Sequence, residues 1–306
     1  MNTVAPSPNL NVSPVLSVVI PLTRMAGKLG NLSTNLDRCL DLDIEIILVH
    51  DEQDNGTHTE LETLVSRIPG AKCKIIRRTV YSPGLARNIG IGEATGRWIS
   101  FWDADDLVDP QGYLRLIGQA EAQNASLGIG RIQTFSLNEL ETQTRRFNFS
   151  ESLDELIYDL AYLPAFTRFT FRRESFKQLS FPEYLLGEDL VFLADLNFLD
   201  FKIAISDEII YTYFIHQEFQ ATSRKNLTTQ LVKSRSHLIK DFRLRSPMMK
   251  KYLLAQILRL NFSLIRSLSS PLQGVLISTT FLIREPKATI KSCRALLRRR
   301  NEFRIR

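Results

Sequence analysis

From Val15 to Ala120 the chain alternates short apolar runs with stretches of helical spacing, and this alternation narrows its possible folds to a few. Val15–Ile20 ends at Pro21 and reads as a buried strand, as do Ile44–Val49, Cys73–Ile76 and Trp98–Trp102. Between them, Leu29–Leu40, Thr59–Ile68 and Pro83–Ala94 carry apolar residues on one helical face, and Pro110–Ala120 follows the fourth run. Pro83 and Pro110 stand where a helix tolerates proline, in the first turn. Strands alternating with helices of this length imply βαβ units, hence an α/β fold with a mostly parallel sheet. Ligands of such sheets bind beyond the carboxyl ends of the strands. That rule gathers Pro21–Arg24, His50–Asp54 and Asp103–Asp106 around one crevice.

The middle of the chain is less regular. The spacing predicts a helix over Ser152–Leu160, a half-buried strand over Phe166–Phe171 and a helix over Leu190–Leu199. Short strands are expected at Ile203–Ile205 and Ile209–Phe214. Beyond about Asn226 acids nearly vanish, and Leu253 to Leu268 and Ile290 to Leu297 show helical periodicity. The net charge of +6 is a sum of opposites: residues 1–223 carry −11 and residues 224–306 carry +17. An acidic body with a basic tail excludes a uniformly basic coat for nucleic acid. Cys39, Cys73 and Cys293 are too far apart in sequence for a zinc motif, and a reducing compartment is expected. Met1–Pro14 lacks an apolar core and is expected to be a disordered leader, not a signal peptide. No run of about 18 apolar residues suggests a membrane span, so the expected location is cytoplasmic.

Asp103, Asp105 and Asp106 crowd three carboxylates into four residues after the fourth strand. Like charges so close call for a cation, and oxygen ligands suit Mg²⁺ or Mn²⁺ completed by substrate phosphates. A solvated loop before the next helix is the simpler alternative, with Asp109 the best-placed cap.

Upstream stand Ser82-Pro83-Gly84-Leu85-Ala86-Arg87-Asn88-Ile89-Gly90 and Ala94-Thr95-Gly96-Arg97. With Ser17–Pro21, Glu45–Asp51 and Asp103–Asp106, this order resembles the family 2 glycosyltransferases of the GT-A fold. The match runs over about residues 15–110 and continues more weakly to about 223. The resemblance implies a catalytic domain over 15–225, with a donor half (15–110) and an acceptor half (111–225), then a basic helical region over 226–306. It implies a nucleotide-diphosphate-sugar donor, with Asp51 on the base, Pro21 and Thr23 lining that pocket, and Arg87 near the pyrophosphate. Asp103 and Asp105 would contact the ribose and the metal-held diphosphate, with Asp105, Asp106 and His216 as metal ligands. Arg87 also fits as a partner of the aspartate cluster, and Asn88 as a tie for a loop. Two segments depart from the family pattern: Pro21-Leu22-Thr23-Arg24 replaces Pro-x-Tyr-Asn, and His50-Asp51-Glu52-Gln53 replaces Asp-Asp-Gly-Ser.

Gly187-Glu188-Asp189-Leu190 matches the place where the family carries its catalytic base, so Asp189, with Glu188 beside it, takes that role in the resemblance. As simple helix-start residues they would instead cap the helix and complement its dipole. The Tyr211–His216 segment resembles the family's closing loop, without the Gln-x-x-Arg-Trp motif of processive synthases. The resemblance thus implies an inverting, metal-dependent transferase that builds a surface polysaccharide or lipid-linked glycan. A degenerate domain that binds or scaffolds is the alternative, and a nucleotidyltransferase is a third reading. For the +17 tail, an anionic membrane surface, a helical layer packed on the body and a homo-oligomer contact are the candidate partners. No nucleic-acid-binding motif accompanies the charge.

Overall fold

The computed structural model of the chain describes residues 13–23, 25–70, 72–137, 142–146, 153–162, 165–176, 178–185, 187–215, 224–240, 242–266 and 286–302. Its first half winds as the alternation predicts: β1 (Leu16–Leu22), α1 (Gly30–Cys39), β2 (Ile44–Asp51), α2 (Asn55–Val65), β3 (Cys73–Arg78), α3 (Pro83–Glu93) and β4 (Trp98–Phe101). These strands lie in the order β3-β2-β1-β4 and pair with one another in parallel. β1 and β2 are buried almost throughout, because helices cover both faces of a parallel sheet. The chain runs outward from β1 to β3 and then crosses back to set β4 on the other side of β1. The direction of winding therefore reverses beside β1, which opens a crevice at the carboxyl ends of β1, β2 and β4.

The sheet continues through β5 (Leu107–Val108), β6 (Leu127–Leu137), β7 (Thr142–Arg146), β8 (Phe169–Arg172) and β9 (Ile203–Ile215). β8 runs antiparallel to both β4 and β6, β6 and β9 form a long parallel ladder, and β5 and β7 cover edges in antiparallel pairs. α4 (Pro110–Ala122), α5 (Leu153–Tyr162) and α6 (Glu188–Asp195) connect these strands. The result is the expected α/β architecture of GT-A type, with antiparallel strands added in its second half.

Besides the short β5 and β7, which no apolar run announced, four elements differ from expectation. β6 went unread because Gly128 and Gly130 break its apolar alternation. A Cβ at Gly130 would lie 2.4 Å from Cδ1 of Ile210, and one at Gly128 would lie 2.7 Å from Cγ2 of Thr170, so close packing explains both glycines. Phe166–Arg168 is a buried 3-10 turn, and only Phe169–Arg172 is strand. The helix expected over Leu190–Leu199 ends at Asp195, where Asn197 enters the left-handed region at φ +50°. The two strands expected after it are one, β9, whose register shifts opposite Arg131 absorb the irregularity.

The basic region forms α7 (Arg224–Lys240), a 3-10 turn (Phe242–Leu244), α8 (Pro247–Arg266) and α9 (Pro286–Glu302). α8 packs against α5, α7 and α9. From Met248 to Asn261 it is buried or half-buried all round: Met249, Tyr252, Leu253, Ile257 and Leu260 join the main core, and the Tyr252 ring meets Phe198 edge-on at 5.1 Å. No helix among the described residues is long and apolar enough to cross a membrane.

Candidate functional site

α1 fixes the acidic turn after β4. Asn31 Nδ2 donates to the Asp105 carbonyl at 2.6 Å, and Asn35 Nδ2 donates to the Asp106 carbonyl at 2.8 Å. Asn35 Oδ1 accepts from the Val108 N–H at 3.1 Å, and Arg38 donates to the Val108 carbonyl at 2.8 Å. Sequence reasoning missed these residues. Their signal was the spacing of Asn31, Asn35 and Arg38, which puts three polar side chains on one face of an otherwise ordinary helix.

The three aspartates do different things. Asp106 is buried, and both its carboxylate oxygens accept hydrogen bonds, from the Tyr211 hydroxyl at 2.6 Å and the Phe214 N–H at 2.7 Å. Burial raises its pKa well above the ordinary value, Asp103 and Asp105 push it the same way, and the two donors pull it back. The Tyr211 oxygen also accepts from the Asp103 N–H at 3.3 Å, so β9 holds the acidic turn from the side opposite α1. Asp103 and Asp105 are only partly buried.

Arg87 joins two acidic segments that are far apart in the chain. One guanidinium nitrogen donates to Asp103 at 3.0 Å and another to Glu188 at 2.8 Å. Its planar head lies against Phe166 and Phe181, 4.5 and 5.4 Å from their centroids. Burial alone would lower its pKa, but Asp103, Glu188 and Asp189 outweigh that and raise it. Sequence gave no sign of the aromatic seat, because Phe166 and Phe181 belong to no common period.

The helix that carries Arg87 is seated by its small residues. Ser82 caps α3 by accepting from the Leu85 N–H, and a Cβ at Gly84 would lie 2.6 Å from the Pro182 carbonyl oxygen. Asn88 ties a loop, as one reading of it expected: its amide donates to the Phe181 carbonyl at 2.9 Å and accepts from the Phe181 N–H at 2.7 Å. The same segment leads to α6, which starts at Gly187 with φ +80°, where a Cβ would meet Ser234 of α7 at 2.5 Å. Neither Glu188 nor Asp189 caps the helix; both lie in its first turn. Asp189 is partly buried, and burial followed by repulsion from Glu188 pushes its pKa up to about 6. The Leu190 N–H, Arg87 and Arg259 of α8 pull in the other direction.

The other predicted residues line the same end of the sheet. Pro21 sits in β1 opposite Val49, and Thr23 follows the strand, exposed. Asp51 ends β2 and accepts from the Gln53 N–H at 3.2 Å and the Val80 N–H at 3.5 Å. His50, one of the departures from the family pattern, is buried against α2 and stacks on His58 at 5.8 Å. Alternation along the strand sends Asp51 the other way. Asp109 stands at the start of α4 without capping it and pairs with Arg115 instead. His216 lies outside the described residues. Among the described residues no three His, Cys, Asp or Glu side chains converge to hold a metal by protein groups alone. Two hard carboxylates, Asp103 and Asp105, fit an ion that takes its remaining ligands from phosphates.

Comparison with known proteins adds to this geometry. A family model described as "Glycosyl transferase family 2" matches residues 17–180. The chain is 31% identical over 193 residues to "Succinoglycan biosynthesis protein ExoO" of Rhizobium meliloti (strain 1021), covering 57% of this chain and 53% of that protein. It is 27% identical over 215 residues to "Uncharacterized glycosyltransferase EpsJ" of Bacillus subtilis (strain 168), covering 65% of this chain and 61% of that protein. The chain thus spans little more than half the length of these curated relatives. The fold is similar to that of S. aureus TarS 1-349 in complex with UDP-GlcNAc, with a TM-score of 0.63, 16% identity and coverage of 90% of this chain and 79% of that one. It is also similar to the mannosyltransferase PcManGT from Pyrobaculum calidifontis, solved with GDP-Man and Mn²⁺, with a TM-score of 0.55, 15% identity and coverage of 98% and 90%.

Proposed function

The chain belongs to glycosyl transferase family 2, and from that premise we propose that it is an inverting, metal-dependent glycosyltransferase acting on a nucleotide-diphosphate sugar. The observation that carries this reading is Arg87, whose guanidinium bonds both Asp103 and Glu188 and so holds the donor-side and base-side acids in one site.

In this reading, Asp51 receives the nucleotide base, with Pro21 and Thr23 beside it, and Asp103 receives the ribose. Asp189 is the general base. It accepts the proton of an acceptor hydroxyl as that oxygen bonds to the anomeric carbon. The bond from that carbon to the diphosphate oxygen breaks on the opposite face, and its electron pair leaves with the nucleoside diphosphate. Attack from the far side inverts the anomeric centre. A carboxylate pushed up to about 6 is a stronger base than an ordinary one and still ionised near neutral pH. Bound Mg²⁺ or Mn²⁺ would supply positive charge to the departing diphosphate, held by Asp105 and His216 as read from the sequence, with Asp103 in place of Asp106, whose two oxygens are taken by Tyr211 and Phe214. Asp106, with both oxygens bonded to β9, holds the turn in place. Arg87, bonded to Glu188, fixes that carboxylate beside the base.

The acceptor is proposed to be a glycan or lipid-linked glycan and the setting polysaccharide synthesis, as the name of the R. meliloti relative suggests. The proposed location is the cytoplasm or the cytoplasmic face of a membrane. The division into a donor half over 15–110, an acceptor half over 111–225 and a helical layer over 226–306 is part of this proposal.

Thermal unfolding with a panel of nucleoside diphosphates and their sugars, with and without Mn²⁺, tests the reading. A matching donor at about a hundred times its Kd adds about 2.7 kcal/mol of stability. Asp105→Ala should lose the Mn²⁺-dependent part of that shift. If no nucleotide shifts the transition, the binding or scaffold reading replaces this one. Release of pyrophosphate from a nucleoside triphosphate would replace it with nucleotidyl transfer.

A further inference from the structure

The C-terminal helices expose apolar side chains among cations. Leu244, at the end of the turn after α7, is 86% exposed; Ile290 and Leu297, two turns apart on α9, are 45% and 50% exposed. The opposite side of α9 is the packed one: Thr289 and Ser292 are buried, and Ala288 and Cys293 rest on Leu254 and Leu258 of α8. Phe242, two residues before Leu244, rests on the same pair of leucines. The turn and α9 therefore stand on one side of α8. Arg243, Lys287, Lys291 and Arg294 are all exposed there. At 100° per residue, Lys287, Lys291 and Arg294 fall beside Ile290 and Leu297 on the outward stripe of α9. The only acid of α9 is Glu302, at its last position.

We infer that this side of the C-terminal layer docks on an anionic lipid surface. Cations beside isolated apolar tips match a headgroup layer above acyl chains, where Lys and Arg meet lipid phosphates and Leu and Ile enter the boundary. A nucleic acid would satisfy the cations but leave Leu244, Ile290 and Leu297 in water. A second copy of the chain would bring like charges together. The inference concerns binding alone and holds whichever sugar the site transfers.

The test uses the full chain and vesicles of phosphatidylcholine, pure or with about one-third phosphatidylglycerol. Sedimentation should show binding to the anionic vesicles, weakened by raised salt. Combining Lys287→Gln, Lys291→Gln and Arg294→Gln should weaken it by about a hundredfold. Combining Ile290→Ser and Leu297→Ser keeps every charge and should weaken it about tenfold. Circular dichroism melting of both variants should match the parent, since all five positions are exposed or half-buried. Equal binding to pure phosphatidylcholine, or no loss in the charge variant, overturns the proposal. So does a dimer that the Ile290/Leu297 variant dissolves with no vesicle binding in the parent, or binding to RNA without binding to vesicles.

Discussion

Arg87 sets the electrostatics of the site at the scale of single residues. It is one of three buried arginines among the described residues, and it satisfies two carboxylates with a planar fork whose face rests on Phe166 and Phe181. A lysine keeps the charge but offers one point instead of a fork. Arg87→Lys should therefore leave Asp103 or Glu188 poorly paired and destabilise the fold by about 3 kcal/mol, read from urea unfolding. Transfer should fall further than that, because both acids lose their fixed positions. Asp189 carries a different prediction. Its pKa is pushed up to about 6 from an ordinary 3.8. Between these values the folded protein holds a proton that the unfolded chain has released, so stability falls as pH rises through that window. Asp189→Asn removes the penalty and should raise the melting temperature at pH 7 by roughly 2–4 °C for about 1 kcal/mol. The same change should cut turnover by about 10²–10⁴-fold. In the parent, turnover should rise with pH through about 6 and then level off. An unchanged melting curve with normal turnover would remove Asp189 from the site. The cluster Asp103, Asp105 and Asp106 was legible as a spacing, whereas Asp51, Glu188 and Asp189 were singled out through the family resemblance. Of their partners only Arg87 was read, as a partner of the aspartate cluster, which its bond to Asp103 bears out; its bond to Glu188 and that of Asp106 to Tyr211 arise only through the tertiary fold.

Whole elements were legible wherever one period ran unbroken. β1 to β4 and their helices could be read because a parallel sheet covered on both faces needs continuous apolar runs. β6 could not, because its neighbours crowd out side chains at Gly128 and Gly130. The boundary of α6 was hidden as well: its apolar residues continue past Asp195, and only the left-handed backbone at Asn197 ends it. The same close approach decides the helix that carries Arg87. A Cβ at Gly90 would lie 2.3 Å from Cγ1 of Val19, so α3 sits directly on β1. Gly92, two residues on, has nothing within 4 Å of that position. Gly90→Ala should therefore lift α3 from the sheet at a cost of about 1–3 kcal/mol. Gly92→Ala should stabilise the protein by about 0.5–1 kcal/mol, by removing the entropy glycine adds to the unfolded chain. Thermal unfolding of the pair checks the register of α3 on β1: equal effects at the two positions would contradict it.

Across the whole molecule the contrast between −11 and +17 marks composition, whereas packing follows another line. α8 belongs to the basic segment, yet Met249, Tyr252, Leu253, Leu254, Ile257, Leu258 and Leu260 are buried. Its Gln256 donates to the Leu160 carbonyl of α5 at 3.3 Å, and its Arg259 lies near enough to Asp189 to lower that pKa. The amphipathic spacing of this helix was visible in the sequence. Its burial on nearly every side was not, because Gln256 and Arg259 read as a solvent face. At roughly 1.5–3 kcal/mol for each large apolar side chain, removing α8 forfeits roughly 10–20 kcal/mol of burial. That equals or exceeds the roughly 5–15 kcal/mol of net stability a domain possesses. A chain ended after Ser246 should therefore be insoluble or molten, without a cooperative thermal transition. A chain ended after Glu285 loses only α9 and uncovers Leu254 and Leu258, at about 3 kcal/mol. It should melt cooperatively at a lower temperature and keep its nucleotide-dependent shift. If instead the chain ended after Ser246 folds and binds nucleotide, α8 is an appendage and the α/β part stands alone.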